Sequence, residues 1–274
     1  MEDKIAYRRI IRAEALSSAE EEYSPEVRAL SIMAFRLGVC GAETRLIVQT
    51  VERLALAFGL QDINVAVLPQ LIVIYSDKQG RSFIKAVKFN PGSINMHNLT
   101  SLIWIRIKTE KNHLSPQEVM TMMDKIQSYP YSQLLTILSI SIASGAFAML
   151  NGGSISVAFA GVFAGALNMS LKIYLTKKRI FSIAVFLFCG FLGPLSAFFI
   201  YGMLFDNITK NEAFPAMLAS VLLLVPGFPY INGILDVFKG FYEPGVFRLL
   251  RATILLASGS VGFLFALELI EKFS

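Results

Sequence analysis

Two hydrophobic rhythms divide the chain. Up to about residue 128 apolar positions recur with helix and strand periods; from Leu134 the period gives way to long apolar runs. Ser24-Pro25 marks a helix start, a polar cap followed by proline at the first helical position. Val27, Leu30, Ala34 and Leu37 keep one face of that helix apolar. Gly38 and Gly41 interrupt it, and Ile47, Val51, Leu54 and Phe58 resume it as far as Gly59. Three short stretches rich in Val, Ile and Phe then read as strands, Ile63 to Leu68, Leu71 to Tyr75 and Ser82 to Phe89. Asp77-Lys78-Gln79-Gly80 supplies a turn between the last two, and Pro91-Gly92 ends the sheet. Helix resumes over Met96 to Ile107. A further helix opens at Ser115-Pro116-Gln117-Glu118, a capping box with proline inside it, and presents Val119, Met122, Met123 and Ile126 on one face.

The second half is built from runs long enough to cross a bilayer, which takes about 20 apolar residues. They predict five spans, at 134–150, 155–175, 180–204, 214–236 and 246–269. The fold class expected is therefore an α-helical membrane protein of about five transmembrane helices with an N-terminal cytoplasmic α+β domain. Its parts are a charged lead over 1–23, the α+β domain over 24–130 and the transmembrane domain over 131–274. The first span holds Ser139, Ser141, Ser144 and Gly145, and the second Gly161-x-x-x-Gly165. Gly193-Pro194 breaks the third, and Ser258-Gly259-Ser260 with Gly262 lies in the fifth. Such small residues most often serve close helix packing, and could also line a narrow passage.

Composition agrees with this division. The chain has 274 residues, 54% of them hydrophobic. Residues 1–133 carry 16 of the 25 Lys and Arg and 14 of the 20 Asp and Glu, so this half is nearly charge-balanced. No basic stripe with interleaved aromatics is present, and no nucleic-acid partner is expected. The basic residues left over suit membrane topology. With the N-terminal domain inside, Lys172, Lys177, Lys178, Arg179, Lys239, Arg248 and Arg251 fall on cytoplasmic loops, and only Lys210 and Lys272 fall outside. No signal peptide opens the chain, which also predicts a cytoplasmic N-terminal domain. Five spans would put the C-terminus outside. Cys40 and Cys189 lie in different halves without C-x-x-C neighbours, and His97 and His113 stand alone, so neither a disulfide nor a metal site is predicted. A Ser/His/Asp set and a phosphate-cradling glycine loop are both missing, so neither hydrolysis nor ATP-driven pumping by this chain alone is expected. The expectation is a non-enzyme without cofactor.

The fourth predicted run is interrupted at Val225-Pro226-Gly227-Phe228-Pro229. Proline removes a backbone donor and crowds the preceding turn. Interrupted backbone at membrane depth is tolerated where protein or a water-filled cavity surrounds it, and broken helices are one way to build a solute site near the midplane. A kinked structural helix is the plainer reading, since Pro and Gly are common in membrane helices. Asn232 and Asp236 follow on one helical face. Asp236 could bind a proton, a cation or a substrate amine, or could be an interfacial residue paired with Lys239. Half-helix ends near Pro226-Gly227 would suit carboxylate ligands. Glu268 reads as interfacial.

In the first half, Gly41-Ala42-Glu43-Thr44-Arg45, continued by Glu52-Arg53, stands out as a helix break with a local Glu–Arg pair. Together with Cys40, Leu224-Val225-Pro226-Gly227-x-Pro229, Asn232, Asp236 and a proline-containing entry to the first span at Pro130, it resembles the threonine/serine exporter (ThrE) family over nearly the whole chain. The likeness is to the larger, YjjP-like subunit of the split, two-subunit type. Cys40 stands where the family pattern carries Ser, and Arg106 is the main candidate for the arginines that the family has after the sheet.

The resemblance implies a subunit of a bacterial inner-membrane exporter of small carboxylate-bearing metabolites, threonine and serine or dicarboxylates such as succinate. It implies drive by the proton motive force. It also implies a small all-helical membrane subunit as partner, in a homo- or hetero-oligomer within the lipid bilayer. Pro226, Gly227, Pro229, Asn232 and Asp236 are the expected substrate and proton pathway. Gly41, Glu43, Thr44 and Arg45 are the expected cytoplasmic-domain motif, with Glu43 and Arg45 as an ion pair. The alternative is a membrane-anchored sensor or assembly protein acting through its cytoplasmic domain.

Overall fold

The computed structural model describes residues 24–78, 81–92, 94–126, 132–204 and 210–272. The charged lead, Gln79-Gly80 of the expected turn and Pro130 lie outside the described residues. The chain divides into two compact units, residues 1–129 with 231–248, and residues 130–230 with 249–274.

The first unit opens with helices α1 (Pro25–Val39) and α2 (Thr44–Ala57). Pro25 occupies the first turn of α1, where a missing N–H leaves no bond unmade. Ser24 sits at the cap position without a side-chain capping bond. The break between the helices turns on Gly41, whose φ of +72° is open to glycine and strained for other residues. Strands β1 (Gln61–Leu68), β2 (Leu71–Lys78) and β3 (Arg81–Lys88) form an antiparallel sheet in sequence order. Leu68 pairs with Leu71, and Lys78 with Arg81, across two tight hairpins. Helix α3 (Met96–Asn112) runs a turn further than its apolar pattern suggests, and α4 is Pro116–Lys125. The Ser115–Glu118 capping box forms as its sequence predicts. Leu30, Met33, Ile47, Leu54, Ile72 and Ile74 are fully buried, so the core joins α1 and α2 to one face of the sheet. Val119 and Met123 close it from α4.

The second unit holds α5 (Gln133–Leu150), α6 (Ile155–Lys177), α7 (Ser182–Leu204) and α8 (Lys210–Val221). A 3₁₀ turn, Leu222–Leu224, and helix α9 (Gly227–Phe238) follow, then α10 (Tyr242–Glu271). Among the described residues α5, α6, α7 and α10 are long and apolar enough to cross a membrane. That makes four such helices, where the hydropathy pattern predicts five. The expected fourth span at 214–236 is not one helix. Val225 is extended, with ψ of 114°, and Pro226 cannot continue the turn before it. Pro229 does not interrupt α9: it lies in the first turn, whose N–H groups have no intrahelical partner.

The expected break at Gly193-Pro194 is also corrected, because α7 runs through Pro194 as a single helix. Ser196 Oγ donates to the Gly193 carbonyl at 2.7 Å. The small residues pack helices closely. A Cβ on Gly145 would lie 3.0 Å from the Ala158 carbonyl, and one on Gly165 2.5 Å from Ser144 Oγ. A buried polar bond also crosses this unit, Asn168 Nδ2 donating to the Ser220 carbonyl at 2.7 Å.

Candidate functional site

The N-terminus of α2 is the centre of the site. The first four N–H groups of a helix lack intrahelical partners and need an acceptor. Residue Glu43 holds the cap position of α2 without a side-chain capping bond. The acceptor comes instead from Asp236 of α9, 192 residues on. Thr44 N–H donates to Asp236 Oδ1 at 3.0 Å, and Thr44 Oγ1 donates to Oδ2 at 2.9 Å. Arg248 Nη1 approaches the same Oδ2 at 3.2 Å. Both Asp236 and Thr44 are fully buried. Burial pushes the Asp236 carboxyl above the usual carboxylate range, and Arg248 and the two Thr44 bonds act against that shift.

Three further links hold Gly41, Ala42 and Glu43, the residues just before Thr44. Asn232 Nδ2 donates to the Gly41 carbonyl at 3.0 Å. Arg248 Nη2 donates to the Ala42 carbonyl at 2.8 Å, so one guanidinium holds both Asp236 and the loop. The Lys239 ammonium pairs with Glu43. Close backbone approach makes this possible. A Cβ on Gly245 of α10 would lie 2.9 Å from Val237 N and 3.0 Å from the Gly233 carbonyl. Glycine there lets the first turn of α10 rest on α9, with Arg248 one turn further along.

The motif of the first half and the polar pair of the second therefore meet. Gly41, Glu43, Thr44, Asn232 and Asp236 belong to one cluster. Arg45 does not: it is exposed, and Glu43 pairs with Lys239, so the local Glu43–Arg45 pair is corrected. Lys239 is likewise not the partner of Asp236; Arg248 is. Pro226, Gly227 and Pro229, at the start of α9, belong to the second unit, and a Cβ on Gly227 would meet nothing within 4 Å. In the first unit Arg106 pairs with Glu110. In the second, Glu268 and Lys272 edge a groove of about 540 Å³ otherwise lined by apolar groups of α7 and α10, among them Phe188 and Phe265. Sequence reasoning missed Arg248 as a site residue, since it read as a topology-setting cation, and named Lys239 only as a partner for Asp236. The weak signal available was the position of both basic residues just beyond Asp236.

Among the described residues, four long apolar helices together with a small α+β unit define a multi-pass membrane protein. The chain belongs to the family described as "Putative threonine/serine exporter" (ThrE), which matches over residues 29–270. It is 31% identical over 230 residues to the "Probable succinate transporter subunit YjjP" of Escherichia coli strain K12, covering 84% of this chain and 88% of that protein. It is 30% identical over 230 residues to the protein of the same description from Klebsiella aerogenes, with the same coverage. An "Uncharacterized protein" of Haemophilus influenzae is 28% identical over 136 residues, 49% of this chain and 46% of that one. No solved structure matches.

Proposed function

We propose that the chain is the larger subunit of a bacterial inner-membrane exporter of small carboxylate-bearing metabolites, threonine and serine or dicarboxylates such as succinate. In this reading the proton motive force drives export, and a small all-helical membrane subunit completes the path. Family membership and two relatives described as succinate transporter subunits support it.

The observation that carries the site is the buried Asp236 carboxylate bound to the Thr44 amide, hydroxyl and Arg248. A carboxyl held above its usual range by burial is suited to taking up a proton. Asn232 and Asp236 are the residues on which substrate or coupling proton acts. Pro226 and Gly227 form the break that opens the path beside them in sequence, and Pro229 lies in the first turn of the helix that follows. Gly41, Glu43 and Thr44 transmit the change to residues 24–130, the cytoplasmic part.

The same contacts support a membrane topology. Residues 231–248 share a unit with residues 24–126, which supports a reading with both on one side of the membrane. In this reading the long helices α5, α6 and α7 carry the chain to the other side, and the segment from α8 to the start of α9 returns it. The basic residues support a first unit in the cytoplasm and a C-terminus outside.

The test is Asp236→Asn in cells that depend on this chain for export. Efflux of threonine, serine or succinate is expected to stop while the protein stays in the membrane at normal abundance. Normal efflux would remove Asp236 from the mechanism.

A further inference from the structure

We propose that Arg248 is a positioning residue for export, holding Asp236 and the Ala42 carbonyl with one guanidinium. The inference rests on the reading of Asp236 as the proton-coupled group. Arg248 lies in the second turn of α10, a helix long and apolar enough to cross the membrane. Its side chain is about four-fifths buried, and its two terminal nitrogens serve different partners, Asp236 Oδ2 at 3.2 Å and the Ala42 carbonyl at 2.8 Å. That is the use of a planar fork. Lysine carries the same charge on a compact ammonium and cannot reproduce both bonds in one rigid geometry.

The charged neighbours are few. Arg248 faces Asp236 from α10, Glu43 acts on it from the start of α2, and Lys239 at the end of α9 is engaged with Glu43. Arg248 is therefore the positive charge in direct contact with Asp236 among the described residues. Charge and fork have separable consequences. Removing the charge disfavours ionised Asp236 and so strengthens its hold on a proton. Keeping the charge without the fork leaves proton affinity nearly intact and loosens the loop.

The experiment uses the full chain expressed with its neighbouring genes in the native host lacking its own copy. Inverted membrane vesicles take up labelled threonine and, separately, labelled succinate, with the bathing pH varied. Arg248→Gln is expected to displace the pH profile of uptake about one unit to the alkaline side, tenfold in proton affinity. Arg248→Lys is expected to keep the profile and lower the maximal rate about tenfold. Independently of transport, Arg248→Lys should speed hydrogen exchange at the Thr44 amide of the purified full chain by about tenfold.

A merely structural arginine would lower the abundance of both variants and leave the pH profile unmoved. Wild-type rate, profile and exchange in both variants, with Asp236→Asn inactive, would overturn the positioning role alone. Normal uptake by Asp236→Asn would overturn the proton reading of Asp236. The exchange result would then still show whether Arg248 holds the loop.

Discussion

Replacing Thr44 by Val isolates one bond of the cluster. Valine keeps the branched shape of threonine and the backbone N–H, so the 3.0 Å bond to Asp236 Oδ1 survives. What is lost is the 2.9 Å bond from the Thr44 hydroxyl to Oδ2. Both residues are fully buried, so water does not take the place of the hydroxyl. A hydrogen bond to a charged acceptor contributes about 1.5–3 kcal/mol, and a buried acceptor left short adds to the loss. Thr44→Ser is the control. It keeps the hydroxyl and removes one buried methyl, worth about 0.8 kcal/mol. The assay is hydrogen exchange of the segment 41–50 in the detergent-solubilised full chain, which reports local opening of α2. Valine is expected to speed exchange about ten- to hundredfold, and serine only severalfold. Equal effects of the two substitutions, or a larger effect of serine, would refute the claim that the Asp236 carboxylate caps this helix through the hydroxyl.

Two other consequences can be checked directly. Gly245→Ala sets a methyl against Val237 N and the Gly233 carbonyl, backbone that cannot move aside; the expected loss is about 1–3 kcal/mol of stability, measured as a lower midpoint of thermal unfolding. Burial pushes the Cys40 thiol up to about 11 from 9.0, so the thiolate fraction near neutral pH falls about hundredfold, and maleimide labelling is expected to be slow until the first unit unfolds.

Which parts of this organisation can be read from the amino-acid sequence follows from the range of each signal. Capping by Ser115 and Glu118 spans three residues, and the period-2 alternation of the strands spans eight, so both are written locally. Long apolar runs likewise locate α5, α6, α7 and α10 within a few residues. Hydropathy fails at 214–236 because it counts apolar residues and is blind to the extended Val225 that separates α8 from α9. It also overstates Pro194, whose missing N–H leaves α7 intact.

The cluster itself is hidden for a different reason. Gly41 to Thr44 and Asn232 to Arg248 are about two hundred residues apart, and only folding brings them together. Asp236 and Lys239, three residues apart, suggest a local ion pair; Lys239 turns instead to Glu43, leaving Asp236 to Thr44 and Arg248. Local spacing therefore suggests pairings that the fold does not form.

The central claim, that this chain is part of an exporter, is tested most directly by efflux from intact cells. Cells lacking the chain are loaded with threonine–serine dipeptides, or grown to accumulate succinate, and release of each metabolite is followed with and without the gene restored. Slowed release of one class, recovered on restoring the wild-type chain, is the predicted result. Unchanged release of threonine, serine and succinate would contradict it and favour a membrane-anchored sensor or assembly protein.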